Sequence, residues 1–191
     1  MTTAAELKGE LRANIRAERI AMSEDRREEA RTDLTARLID LVRTREARSF
    51  SCFLPTRSEP DTRGFLEWAA AEGLDALLPS SRADGLLDWI MPSGEGTVRG
   101  AHGIDEPLGD VQGPLAIERV DLMLIPAAAV DLRGNRLGWG LGYFDRTLSS
   151  LTRRPAVFAV VFDHEVLESV PVEAHDVPLT GVVTPGRTIL F

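Results

Sequence analysis

The chain has 191 residues, 43% hydrophobic and 27% charged, so a single folded domain spanning 1–191 with a sizeable buried core is expected. A formal net charge of −8 argues against a nucleic-acid partner and requires that any anionic ligand find a local island of positive charge. The one cysteine, Cys52, excludes an intrachain disulfide or a thiolate metal cluster, and it fits a reducing cytoplasm.

At the N-terminus, Thr3 and Glu6 read as a capping box, and Leu7, Leu11 and Ile15 recur at a spacing of four, which predicts a helix over about 3–22. The segment carries charge throughout and lacks the apolar core of a secretion signal. Ser23 is placed to cap a second helix whose buried stripe is Leu34, Leu38 and Leu41. Short apolar runs then alternate with helical stretches: 49–55, the helix 62–73, 74–80, 86–91, 120–130, a helix near 142–152, 156–163 and 181–185. That alternation predicts an α/β three-layer sandwich with a mostly parallel sheet, preceded by an N-terminal helical pair. Residues 92–115, rich in glycine and proline, are predicted as a long loop. The longest apolar run, 122–130, falls well short of the roughly 20 residues a membrane helix needs, so no membrane partner is expected.

The stretch "DLRGNRLGWGLGYFDRTL" at 131–148 follows a predicted strand and runs into a predicted helix. It holds four glycines, Gly134, Gly138, Gly140 and Gly142, at the strand end where α/β proteins gather their ligands. A glycine-rich turn before a helix can present backbone N–H groups to phosphate. No Gly-Lys-Ser/Thr follows, so it is not a Walker loop, and Asp145 stands where the dinucleotide fingerprint needs glycine. Spacing alone leaves two readings open, a phosphate cradle or a tight strand-to-helix connection.

The pattern Gly134, Arg136, Leu137, Gly138, Gly140, Gly142, Tyr143, Phe144, Asp145 resembles the G-x-R-L-G-x-G-x-G-Y-Y-D run of the 5-formyltetrahydrofolate cyclo-ligases. Four further stretches match in order: Lys8 and Arg12 as K-x-x-x-R, "EPDT" at 59–62, "GIDEP" at 103–107 and "HDVPLTGVVTP" at 175–185. The resemblance covers nearly the whole chain. Trp139 and Leu141 stand where relatives often carry a basic residue or a glycine, and Phe144 replaces the second tyrosine.

The resemblance implies a monomeric cytoplasmic enzyme that uses ATP and Mg²⁺ to cyclise 5-formyltetrahydrofolate, with or without a polyglutamate tail, to 5,10-methenyltetrahydrofolate. It implies that Lys8 and Arg12 contact the nucleotide and that residues from Gly134 through Phe144 wrap it, namely Gly134, Arg136, Leu137, Gly138, Trp139, Gly140, Leu141, Gly142, Tyr143 and Phe144. Arg136 is the implied catalytic phosphate clamp, since a planar guanidinium bridges two oxygens. Asp145 and Asp176 are the implied Mg²⁺ ligands, as a hard cation prefers carboxylate and phosphate oxygen. Leu54 and Glu59, with Trp139, Gly140, Leu141, Gly142 and Tyr143, are implied to contact the folate. Lys8 is also the only lysine among 22 basic residues. Without the resemblance, Lys8 and Arg12 read as a solvated helix face, Asp145 as a residue favoured in a helix first turn, and Asp176 as a turn residue. His102, His164 and His175 lack metal-ligand spacing, and Cys52 reads as packing. Two other classes fit the fold: another α/β enzyme such as a sugar-phosphate isomerase or acyl-CoA transferase, and a non-catalytic folate-binding protein.

Overall fold

A computed structural model describes residues 3–100, 103–172 and 177–191. Helix α1 (Ala4–Ala21) starts at the expected capping box: the Thr3 hydroxyl accepts from the Glu6 amide at 3.2 Å, and the Glu6 carboxylate accepts from the Thr3 amide at 2.7 Å. Helix α2 (Glu24–Thr44) is capped by the Ser23 side chain and buries Leu34, Leu38, Leu41 and Val42. Helices α3 (Arg63–Ala71) and α4 (Tyr143–Ser150) follow.

The strands are β1 (Ser49–Ser51), β2 (Asp75–Ser81), β3 (Leu87–Arg99), β4 (Asp105–Gln112), β5 (Leu122–Pro126), β6 (Ala129–Asp131), β7 (Arg136–Leu137), β8 (Ala156–Val160), β9 (Val166–Leu167), β10 (Gly181–Val183) and β11 (Thr188–Leu190). Eight of them form one sheet in the order β11-β10-β8-β5-β1-β2-β3-β4. The middle of that sheet, β10-β8-β5-β1-β2, is parallel, while β11, β3 and β4 join antiparallel at the edges. Strand β5 is fully buried from Leu122 to Ile125, the continuous apolar run expected of a parallel strand covered on both faces. One face of the sheet packs with α2 and α3 around Phe50, Phe65, Leu38 and Leu124. The other face packs around Trp89, Met123, Leu148 and Val182, beneath α4. These layers form the expected three-layer sandwich. A small second sheet, β7-β6-β9, supports α1 through Ile15, Ala129 and Leu137.

The periodicity read for α1 turns Ile15 and, in part, Leu11 inward, with Lys8 and Arg19 also buried, while Leu7 is 44% exposed. The N-terminal helices divide their packing, α1 covering the small sheet and α2 the large one. One expectation is corrected. Residues 92–115 are not mainly loop. Strand β3 continues to Arg99 and pairs antiparallel with β4, with a register shift between Pro92 and Thr97. Its outer half is exposed, so no alternation of apolar and polar residues marked it as a strand. Among the described residues no helix is long and apolar enough to cross a membrane.

Candidate active site

The carboxyl ends of β1, β2 and β5 open into a cleft of about 880 Å³, counted to its solvent-open mouth. Phe53, Leu54, Leu78 and Pro126 supply apolar lining, and Ile104 to Pro107 of the β3–β4 hairpin close one side. The opposite wall is the glycine-rich turn between β7 and α4, through Gly138, Trp139, Leu141 and Gly142. Gly142 caps α4 in a left-handed conformation (φ 72°) with no side-chain cap bond. That positive φ is what calls for glycine, and a β-carbon there would also lie 2.6 Å from Arg146 Nη1 and displace the end of that side chain. The α4 N-terminus therefore faces the cleft without a side-chain cap, with the positive end of its dipole toward it.

Arg136 is buried at the cleft wall and forms an ion pair with Asp145, whose side chain remains 30% exposed. A β-carbon at Gly138 would stand 3.0 Å from Arg136 Nη1, so the bare backbone lets the guanidinium lie against the turn. From α1, Arg12 donates through Nε to the Gly138 carbonyl at 2.7 Å, and its Cζ lies 3.5 Å from where a Gly140 β-carbon would be. Lys8 is buried one turn earlier on the same helix. Arg146 ties the far end of the turn, donating to the Leu141 carbonyl at 2.7 Å and to the Gly85 carbonyl at 2.8 Å. An acidic chain thus gathers cationic side chains around one loop, the local island its net charge requires.

Besides Asp145, the cleft is lined by carboxylates from the β1–α3 loop and from β4. Glu59 lines the cleft and accepts from the Thr56 amide at 2.9 Å, so one oxygen is held by its own loop. Glu106, to which the sequence reading gave no role, also lines the cleft; it accepts from Ser80 Oγ at 2.7 Å and from the Ser81 amide at 2.9 Å. The only sequence signal for it was its place inside "GIDEP".

Of the residues expected at the site, Leu54, Glu59, Arg136, Gly138, Trp139, Leu141, Gly142, Tyr143, Phe144 and Asp145 line the cleft. Arg12 and Gly140 meet at its rim. Gly134 and Leu137 do not line it. Gly134 (φ 82°) turns the β6–β7 connection, where a β-carbon would strike the Phe191 ring at 2.9 Å. Leu137 is buried in the small-sheet core against Ile15. Asp176, His102 and His175 lie outside the described residues. His164 sits at the surface, 3.5 Å from Glu18. Burial pushes the Cys52 thiol up to about 12, which makes it an inert packing group.

Asp131 anchors the turn that launches β7. Its carboxylate accepts from the Arg133 and Asn135 amides and from Asn135 Nδ2, each at 2.9 Å, and from the Val170 amide at 3.3 Å. Burial raises its pKa, but the Asn135, Arg133 and Val170 hydrogen bonds outweigh that and hold the carboxyl below its usual range.

The 5-formyltetrahydrofolate cyclo-ligase family model matches residues 4–185. The chain is 36% identical to a 5-formyltetrahydrofolate cyclo-ligase of Mycolicibacterium smegmatis over 148 residues, covering 75% of this chain and 76% of the relative. It is 32% identical to one from Escherichia coli over 180 residues, covering 91% and 97%. The Aquifex aeolicus 5,10-methenyltetrahydrofolate synthetase structure superposes with a TM-score of 0.81 at 28% identity, covering 96% of this chain and 92% of that one. The same turn, hairpin and strand ends that build the cleft lie inside the matched region, and the chain belongs to the 5-formyltetrahydrofolate cyclo-ligase family of enzymes.

Proposed function

We propose that the cleft carries the ATP-dependent closure of 5-formyltetrahydrofolate to 5,10-methenyltetrahydrofolate, with ADP and phosphate released. An amide oxygen is a poor leaving group, so N10 cannot displace it unaided. The formyl oxygen attacks the γ-phosphorus and ADP departs. N10 then attacks the activated formyl carbon, loses its proton, and phosphate leaves with the former formyl oxygen. Such phosphoryl transfer depends on positioning and on stabilising spread negative charge.

The observation that carries this reading is the buried Arg136 guanidinium beside the uncapped N-terminus of α4. Both are pre-set for phosphate oxygens in a site of reduced solvent access. Arg136 is the proposed catalytic clamp, with Lys8, Arg12 and the Gly138–Phe144 turn holding the nucleotide. The apolar and acidic half of the cleft, with Leu54 and Glu59, is the proposed folate side: a carboxylate there accepts hydrogen bonds from an amino-pyrimidinone ring.

Among the described residues no group of three or more His, Cys, Asp or Glu side chains could hold a metal ion. That donor set does not suit an all-protein cage. It does suit Mg²⁺ arriving with nucleotide, an ion commonly held by one or two carboxylates together with substrate phosphates. Asp145 is the proposed protein ligand in the described cleft, joined by Asp176, and the ion when bound neutralises phosphate charge. With the ion bound, Asp145 would serve it as a carboxylate ligand, and the Arg136 guanidinium, now paired with Asp145, would be free to meet the phosphates. A soluble, monomeric, cytoplasmic enzyme acting on folate with or without a polyglutamate tail completes the proposal.

Incubating the protein with 5-formyltetrahydrofolate, ATP and Mg²⁺ tests it by the absorbance of the methenyl product. Product without ATP, or folate binding with no turnover, refutes it.

A further inference from the structure

Helix α1 buries an arginine that the proposed chemistry leaves unused. Arg19 is fully buried, and its guanidinium makes a bidentate pair with the fully buried Glu165, Nε to Oε1 at 2.6 Å and Nη2 to Oε2 at 2.8 Å. The same Nη2 donates to the Ala127 carbonyl at 2.9 Å, immediately after the β5 end that lines the cleft. Glu165 is held in turn by the Phe162 amide at 2.7 Å. The guanidinium plane also stands over two rings, 5.0 Å from the centre of Trp139 and 5.5 Å from that of Phe162. Arg16, one turn earlier, lies 5.4 Å from the Trp139 ring.

Trp139, with Leu141, stands where the resembling family often carries a basic residue or a glycine, and it lines the cleft. Its Nε1 is buried and has no hydrogen-bond partner, so no hydrogen bond from the indole orients it. Packing beside Ile15 and Leu137 and the guanidinium planes of α1 place the ring instead. Arg19 Nη1 is likewise buried without a partner. A guanidinium placed only to satisfy a core would not leave a donor orphaned, because that costs desolvation free energy. Arg19 is worth that cost if its plane, rather than its full set of donors, is what the structure needs.

We propose that Arg19 is a positioning residue: locked by Glu165, it holds the Trp139 indole in place as a wall of the nucleotide half of the cleft. This rests on the reading of the cleft given above. Arg19 touches no substrate. It acts through the indole, so its loss should weaken binding equally in ground and transition states, raising KM with kcat unchanged.

The test is a double-mutant cycle in the full-length protein. Arg19→Met is combined with Glu165→Gln, so that no uncompensated charge is left buried, in the wild-type and Trp139→Leu backgrounds. In the wild-type background KM for ATP should rise about three- to tenfold, the size of a desolvated cation–π contact, with kcat within about twofold. In the Trp139→Leu background the same pair of substitutions should change KM for ATP no further. Should the paired variant not fold, Arg19→Lys, which keeps the charge but not the plane, is measured in the same two backgrounds. Additive effects in the two backgrounds, or a loss confined to kcat or to KM for folate, overturn the positioning role while leaving the cleft assignment intact. If Trp139→Leu alone leaves KM for both substrates unchanged, the indole is not a wall of the cleft and the proposal fails with that part of the site reading.

Discussion

The molecule holds two arginine–carboxylate pairs on either side of the glycine-rich turn, and they differ in what surrounds them. Arg19 and Glu165 are sealed from solvent, bidentate, and braced by the Ala127 carbonyl and the Phe162 amide. Arg136 is buried but not sealed, its partner Asp145 is 30% exposed, and both line the cleft. A sealed pair has no other partner to exchange for and therefore acts as a fixed point. A pair with one open member can give up its internal contact when a better-charged ligand arrives. The difference separates a sealed anchor from a pair that opens onto the cleft, although both consist of an arginine and a carboxylate.

Substitutions on each pair should break this contrast or sharpen it. The largest effect is expected at the sealed pair: Arg19→Met alone strands a buried carboxylate and should lower unfolding stability by about 3–5 kcal/mol in urea denaturation. A loss near zero would show that water reaches Glu165 and that the two pairs are alike. At the open pair, Arg136→Lys should leave stability nearly unchanged but remove the planar fork. One charge-assisted contact of about 1.5–3 kcal/mol corresponds to a turnover loss of roughly one to two decades. Folate affinity measured by equilibrium binding without ATP should not move; a defect confined to that affinity would place Arg136 on the wrong substrate.

A third carboxylate, Asp131, tests whether a held acid at the base of the turn behaves as scaffold. Its pKa is lowered from 3.8 on folding, so its contribution is fully present above that value and is lost as pH falls through the lower folded value. Asp131→Ala should therefore cost about 1–3 kcal/mol at neutral pH, and the difference from wild type should shrink in melts taken below about pH 3.8. A gap that stays constant into acid would mean the carboxylate's charge contributes nothing. The smallest change is expected from Asp145→Asn: about a tenfold loss of activity at limiting Mg²⁺ that added Mg²⁺ partly restores, with unaltered melting. Insensitivity to Mg²⁺ concentration would leave Asp145 as a partner for Arg136 alone.

Much of this was legible from local patterns. The Thr3–Glu6 box, the Ser23 cap and the Leu34, Leu38, Leu41 stripe were read where they occur, because capping and helical periodicity depend on neighbours within a turn or two. The apolar runs of β5, β8 and β10 announced a buried parallel sheet for the same reason. The outer β3–β4 hairpin was not legible, since strands exposed on their outer half need no apolar face, and their pairing is decided across the hairpin. The spacing of Leu7, Leu11 and Ile15 marked α1 as a helix but not its buried charges: beside the apolar cluster around Ile15, the surface opposite α1 offers the Gly138 carbonyl and the Glu165 carboxylate.

By itself, the sequence determined the class of fold, the place of the glycine-rich turn at a strand end, and the family whose residues that turn resembles, all matters of short-range order and residue identity. The tertiary structure alone decided which charges meet. Arg12 and Gly138 are 126 positions apart and Arg19 and Glu165 146, and no local periodicity encodes a partner at that distance. Charged groups are costly to bury without a counterpart, so chain topology, by bringing α1 over the turn, determines that Arg19 becomes a sealed anchor with Glu165 while the Arg136–Asp145 pair lies at the cleft.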